Sequence, residues 1–381
     1  MVTILLFKEI FNYYCINNSN FLLSKKIPLL YENITSSKIS ASFVYFSSQC
    51  FSAKYLFVGG KYRQLINISA ADGGVVLVGG WHHWLYAICM QNCSYFSYYG
   101  QLNSLYRSWN SISDKFISVN IDITSLQLRK WGIKVVVVTN DSLPLERMWI
   151  AAARQASIPS VCIQHGLFSS HAREINDGKY ADVICAYDEW QSQILMETGA
   201  RKVSILGFYE DQKLLRKTRR KRRKVCFLGQ PWVDYYKDFS SGYMRYVELM
   251  VDFFERNQID WCYKPHPSEM NSHEYVPGSL SRIKRMSLHD AFRKFDVFIS
   301  LSSTALLEAS LAGRVAIQVR YESIFSDNME KYGYSHSIDI TQIDDVLFDL
   351  VSNSESVAYP FSRESLKKRW GDFVQDITIK R

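Results

Sequence analysis

Two short stretches in the last third of the chain hold the residues best suited to grip a phosphorylated group. The first is Tyr263-Lys264-Pro265-His266-Pro267-Ser268 and the second is Ser300-Leu301-Ser302-Ser303-Thr304-Ala305-Leu306-Leu307-Glu308-Ala309. Two prolines flank His266, fixing its backbone and removing competing N–H donors. An imidazole held in that way can donate to a phosphate oxygen or protonate a leaving group, and Lys264 adds positive charge beside it. Ser302, Ser303 and Thr304 open a helix whose N-terminal amides and dipole favour an anion. One hydroxyl suffices to cap a helix, so three in succession leave donors to spare. Glu308 falls one turn beyond Thr304, on a face that can reach a ribose; a solvated helix glutamate is the alternative.

Further candidates lie in the first half and middle of the chain. Asp141 follows the run Val135-Val136-Val137-Val138-Thr139-Asn140 and serves either as a general base or as a cap for the helix starting near 145. In Gln164-His165-Gly166 the glycine permits a tight turn or a close ligand approach, and the imidazole stands at a sheet edge. Gln230, in the turn Gly229-Gln230-Pro231, counts as a binding residue. His82 and His83, between Trp81 and Trp84, read as packing. The chain has no Asp-x-Asp pair, no Gly-rich P-loop and no Gly-x-Gly-x-x-Gly, so kinase, P-loop and dehydrogenase chemistry lack their residues. No metal and no cofactor are expected.

All of these residues sit where a strand gives way to a turn. Strand-like runs cover 55–60, 75–80, 134–141, 158–166, 181–187 and 202–207, with helices between them at about 145–157 and 188–198. The four valines at 135–138 form a continuous β-branched run, which marks a parallel strand buried on both faces. A second series begins at 225: strands at 225–231, 259–264, 296–300 and 314–319, and helices at 243–257, 287–294, 303–312, 342–352 and 362–375. Strands alternating with helices of this length mean βαβ units, so the expected fold is α/β with two mostly parallel sheets. The expected division is an irregular segment at 1–50, a first domain at 51–210, a basic linker at 211–224, a second domain at 225–360 and a terminal helix at 361–381. Ligands of open parallel sheets bind beyond the carboxyl ends of the strands, and every candidate lies at such an end.

Composition narrows the function classes. With 381 residues, 47% hydrophobic and 22% charged, the chain suits two globular domains. No apolar run reaches the length of a membrane span, and the first residues lack the basic start of a secretory leader. Eight cysteines without a Cys-x-x-Cys pair read as free thiols in a reducing compartment, which points to the cytoplasm. The net charge of +8 comes from one tract, residues 216–224, which holds eight basic residues; setting them aside leaves 37 Lys+Arg against 37 Asp+Glu. A nucleic-acid partner is therefore not expected. The tract is either a solvated linker or a contact with anionic lipid.

Taken together, these residues resemble a GT-B glycosyltransferase: two Rossmann-like parallel-sheet domains facing a cleft, with the acceptor on the first and the nucleotide sugar on the second. The stretch 264–267 resembles the His-Pro motif, and Ser302-Ser303 the Ser-Ser motif, of bacterial sialyltransferases and Kdo transferases, which use CMP-sugars. The resemblance implies that His266 works near the donor phosphate, that Ser302 and Ser303 bind it, and that Asp141 deprotonates the acceptor. Residues 139–207 are also similar to surface-polysaccharide transferases and to UDP-sugar 2-epimerase-like proteins. The implied partners are a nucleotide-sugar donor and a saccharide or lipid-linked acceptor. The expected activity is sugar transfer in bacterial surface-polysaccharide assembly, at the inner face of the plasma membrane. An epimerase or a non-catalytic member of an assembly complex is the alternative.

Overall fold

The computed structural model describes residues 53–79, 87, 92–97, 114–141, 144–168, 181–209, 223–230, 237–267, 269, 276, 282–322, 327–357 and 364–379. Residues 1–50, His82, His83 and positions 216–222 of the basic tract lie outside the described residues.

The first sheet contains β1 (Tyr55–Val58), β2 (Val75–Gly79), β3 (Cys93–Ser97), β4 (Val135–Val138), β5 (Ser160–Ile163), β6 (Val183–Ala186) and β7 (Val203–Ile205). Its order is β3-β2-β1-β4-β5-β6-β7, with every pairing parallel. Helices α1 (Arg63–Gly73), α2 (Asp114–Lys130), α3 (Pro144–Gln155) and α4 (Glu189–Glu197) form the crossovers. The second sheet contains β8 (Val225–Leu228), β9 (Trp261–Lys264), β10 (Val297–Ser300), β11 (Val315–Arg320) and β12 (His336–Asp339), in the all-parallel order β12-β11-β10-β8-β9. Around it lie α5 (Lys237–Arg256), α6 (Leu288–Lys294), α7 (Thr304–Leu311) and α8 (Phe348–Asn353). The strand order reverses between β1 and β4 in the first sheet and between β8 and β10 in the second. Such switch points open the crevice in which doubly wound sheets take their ligands.

Alternation along the strands separates the cores. Leu56, Val58, Val76, Val78, Val136 and Val138 face one layer with Met148, Trp149 and Ala152 of α3. In the second sheet Val225, Phe227, Trp261 and Tyr263 face α5 through Tyr243, Tyr246, Val247 and Phe254. The third core is continuous across the two sheets, running from Tyr55, Phe57 and Val137 to Leu228, Phe298 and Leu306. The described cysteines 93, 162, 185, 226 and 262 are free and buried.

The last helix, α9 (Leu366–Ile379), returns to the first sheet. Trp370 is 1% exposed, its Nε1 donates to Ser69 Oγ at 2.9 Å, and its ring lies 6.1 Å from Tyr55 and 6.4 Å from Phe57. Arg369 donates to the carbonyls of Leu206 and Phe208. The chain thus crosses between the two sheets twice. Trp370→Ala should cost about 3–5 kcal/mol, the usual range for truncating a buried aromatic. Chemical denaturation followed by circular dichroism should show the loss in the transition of the first-sheet domain.

Candidate functional site

The carboxyl ends of the two sheets face each other. Leu167 N, just past β5, donates to Thr304 Oγ1 at the start of α7, 2.9 Å away. A Cβ on Gly166 would stand 3.4 Å from the same oxygen, so the glycine admits this close approach. On the same rim, Asp188 is hydrogen-bonded to Tyr334, and Trp190 stacks on Tyr332 with centroids 3.7 Å apart and planes 4° apart.

The second-sheet wall is one hydrogen-bonded unit. Gln230, at the end of β8, donates from Nε2 to Ser302 Oγ at 3.0 Å and accepts from Ser302 N at 3.1 Å. This pair bridges the switch point between β8 and β10. Gln230 N donates to Tyr243 Oη at 2.9 Å, and that hydroxyl lies 3.3 Å from Tyr263 Oη. Tyr263 Oη donates to Glu269 Oε1 at 2.6 Å, while the other carboxylate oxygen takes the His266 amide. Glu269 is 1% exposed. A Cβ on Gly229 would collide with both the Glu269 carboxylate and the Tyr263 hydroxyl, so that position accepts only glycine.

Each of the three hydroxyls at the start of α7, one expected as the cap and the others as spare donors, has a structural partner. Ser302 pairs with Gln230, Ser303 accepts from Ala305 N at 3.2 Å as the cap of α7, and Thr304 accepts across the cleft. Because Ser303 and Thr304 accept in these bonds, their O–H protons remain available to a ligand. Glu308 is half-buried on α7, and its charge is felt by Lys61 and by Tyr187.

His266 is half-buried, and its imidazole is pushed down to about 4, first by burial and then by Lys264. Lys264 is 9% exposed and has no carboxylate partner among the described residues. At the opposite wall His165 is pushed down to about 4 by the protein mass around it and by Lys61, against a hydrogen bond to the Thr139 backbone. Its ring is nonetheless exposed. It therefore stands on the wall of an open cleft and is not a core histidine.

Gln164, fully buried, fixes the turn before His165: its Oε1 accepts from Tyr187 N at 2.9 Å and its Nε2 donates to the Gly166 carbonyl at 2.8 Å. Asp141 is placed differently from the other candidates. It is 8% exposed and accepts from Ala181 N at 3.1 Å, tying the end of β4 to the approach to β6.

Sequence reasoning did not find Lys61, Glu269 or Tyr243. Lys61 follows the glycines that end β1 and donates to the His165 carbonyl at 2.9 Å. Its position after Gly59-Gly60 at a strand end was the available signal. Among the described residues no group of three His, Cys, Asp or Glu side chains converges to hold a metal ion.

No family model matches the sequence, and no curated protein matches it. Solved structures do share the architecture. The UDP-GlcNAc 2-epimerase from Methanocaldococcus jannaschii in complex with UDP-GlcNAc and UDP aligns with a TM-score of 0.56 at 12% identity, over 85% of this chain and 99% of that one. The lipopolysaccharide outer core galactosyltransferase WaaB, apo form, aligns with 0.51 at 13% identity, over 85% and 99%. A glycosyltransferase from Rickettsia africae ESF-5 aligns with 0.50 at 11% identity, over 86% and 94%. With two all-parallel sheets and these neighbours, the chain has the two-domain, Rossmann-like GT-B fold.

The lowered His266 value has a measurable consequence. The unfolded chain takes up more protons than the folded one between about 4 and the ordinary 6.5, so stability falls as pH drops through that window. Melting temperatures at pH 7 and pH 5 should show a smaller acid loss in His266→Gln than in the parent chain. Equal losses in the two proteins would show that burial does not hold this imidazole neutral.

Proposed function

We propose that the chain is a glycosyltransferase that moves a sugar from a nucleotide-sugar donor to a saccharide or lipid-linked acceptor in capsule, O-antigen or lipopolysaccharide assembly. CMP-sugars are favoured over UDP-sugars by the His-Pro and Ser-Ser pairing. The observation that carries the reading is Lys264, a buried ammonium with no carboxylate partner among the described residues, beside His266 at the ligand edge of a parallel sheet. A buried charge left without a counter-charge is costly, and a donor phosphate would supply one.

In this mechanism His266, neutral above about pH 4, donates a hydrogen bond to the departing phosphate. Lys264 and the first amides of α7, with the Ser303 and Thr304 hydroxyls, take up the charge that develops there. Fixed donors of this kind do the work otherwise given to a metal. The bond between the anomeric carbon and the phosphate oxygen breaks, with its electron pair passing to phosphate. The acceptor oxygen bonds to the same carbon and gives its proton to His165, whose lone pair is free above about pH 4. Asp141, turned onto Ala181 N, is not assigned this role.

The same cleft would serve a UDP-sugar 2-epimerase, whose fold the chain shares. Dependence of turnover on an added acceptor separates the two. Among the described residues no helix is long and apolar enough to cross a membrane. The reading places the protein in the cytoplasm, at the inner face of the plasma membrane when the acceptor is lipid-linked.

A thermal-shift panel of CMP-, UDP-, GDP- and CDP-sugars should yield at least one donor that raises the melting temperature. With that donor, His266→Ala should lower kcat by about 10²–10³, the usual cost of removing one fixed hydrogen-bond donor, while leaving circular dichroism unchanged. Full activity in the variant would remove the assignment. Lys264→Met should raise the melting temperature of the ligand-free protein and abolish the donor-induced rise. A destabilised variant that still responds to donor would show that the ammonium serves the core and not a phosphate.

A further inference from the structure

The opposite edge of the second sheet carries a feature that sugar transfer does not use. A cavity of about 440 Å³ opens there, lined by Trp261 and Asp260 and by five cations: Lys224, Arg282, Lys284, Arg293 and Lys294. Lys224 immediately precedes β8 and Trp261 begins β9, so the cavity lies at the amino ends of these strands. A four-residue strand spans roughly 13 Å, which keeps the cavity clear of His266 and Lys264 side-chain chemistry in the cleft.

Part of this charge has a local explanation. Arg293 and Lys294 occupy the last turn of α6, where a helix dipole favours cations. Lys224 pairs with Asp260 at 3.0 Å, and Arg282 approaches Glu255 at 3.4 Å while lying 5.3 Å over the Trp261 ring. Cations elsewhere find carboxylates, as Arg256 at the end of α5 does with Asp344 at 2.9 Å and Lys202 before β7 with Asp376 at 3.8 Å. Lys284 and Arg293 are exposed and have no carboxylate partner among the described residues. Local pairing therefore accounts for some of the cavity's cations and leaves two without a counter-charge.

A second observation bears on the same place. The tract of eight basic residues at 216–224 ends at Lys224, which lines the cavity. The remainder of the chain is charge-neutral; of the tract only Arg223 and Lys224 are described residues, and Arg223 donates to the Val351 and Ser354 carbonyls. We propose that the cavity is a second anion site, separate from the cleft, that takes a phosphate-bearing ligand. Arginine offers a planar fork and lysine a point charge, and together these match phosphate oxygens. The phosphate belongs either to an anionic phospholipid headgroup or to a soluble polyphosphate.

Both sources can be tested on the full chain with Lys284→Gln/Arg293→Gln and, as a control of equal charge, Lys130→Gln/Lys134→Gln on the first-sheet domain. Flotation with phosphatidylcholine vesicles containing phosphatidylglycerol reads the headgroup; titration calorimetry with inorganic pyrophosphate reads the soluble ligand. The cavity variant should weaken one of these by about five-fold for each cation removed, the factor expected of a basic residue near an anionic surface. The control should change within two-fold, and nucleotide-sugar binding in the cleft should be unaffected in both. Loss of vesicle binding identifies a headgroup, and loss of pyrophosphate binding a soluble ligand. A cavity variant that matches the parent in both assays, or a control that falls equally, overturns the proposal.

Discussion

The buried carboxylate of Glu269 is the constraint on which the candidate site depends. At 1% exposure it takes the Tyr263 hydroxyl on one oxygen and the His266 amide on the other. Through Tyr263 it meets Tyr243, through Tyr243 the backbone of Gln230, and through Gln230 the Ser302 turn. Three strand ends are thereby held in one arrangement. Burial makes each bond in such a chain stronger and each broken one more costly. The glycine at 229 follows from the same contact, because the carboxylate occupies the space where a Cβ would stand.

What the sequence disclosed was what is encoded locally. Four valines in a row disclosed β4, and Pro-His-Pro disclosed a rigid turn, because steric preference and burial on both faces leave their mark over a few residues. The strand ends, and hence most of the site, followed from those marks. Glu269 carries no local signal, because a glutamate three residues after a histidine is an ordinary spacing; only the fold shows Tyr263 and Gly229 closing round it. Strands β3 and β12 carry polar residues in Cys93-Ser94-Tyr95-Phe96-Ser97 and His336-Ser337-Ile338-Asp339, as sheet edges permit, and so lacked the buried-strand signature. Thr304 looked like a spare hydroxyl because its partner, Leu167, lies 137 residues away on the other sheet. The return of α9 to Tyr55 and Phe57 was equally hidden, since amphipathic helices state that they pack but not against what.

The contact between the domains limits how the cleft can move. Inter-domain surfaces that are small and polar permit rotation, while large apolar ones do not. Here a single apolar core runs from the first sheet to Leu306 and Tyr334 of the second domain, and α9 binds the end of the chain back to the first. The Trp190–Tyr332 stack packs against that core, Asp188 bonds to Tyr334 within it, and Thr304 adds a polar link from the start of α7. Small sliding of packed elements fits this construction better than a free hinge. A donor and acceptor would then meet in a cleft largely formed beforehand.

The distribution of charge across the second sheet follows from the polarity of its strands. In a parallel sheet all helices run back against the strands, so helix N-termini collect at the carboxyl edge and helix C-termini at the amino edge. At the carboxyl edge the dipole of α7 favours an anion, while burial and Lys264 hold His266 neutral, so that it offers a hydrogen bond and no charge. In the proposed donor site Lys264 would then be the counter-charge to a phosphate. At the amino edge the dipoles point the other way and attract cations, which accounts for Arg293 and Lys294 at the end of α6. They do not account for Lys284, which sits outside any helix, nor for the basic tract that runs into Lys224. On the two proposals the edges would attract phosphate for different reasons, one through dipoles and a single buried charge, the other through an excess of exposed cations. Salt separates them, because exposed charges are screened over about 8 Å at physiological ionic strength while buried ones are screened much less.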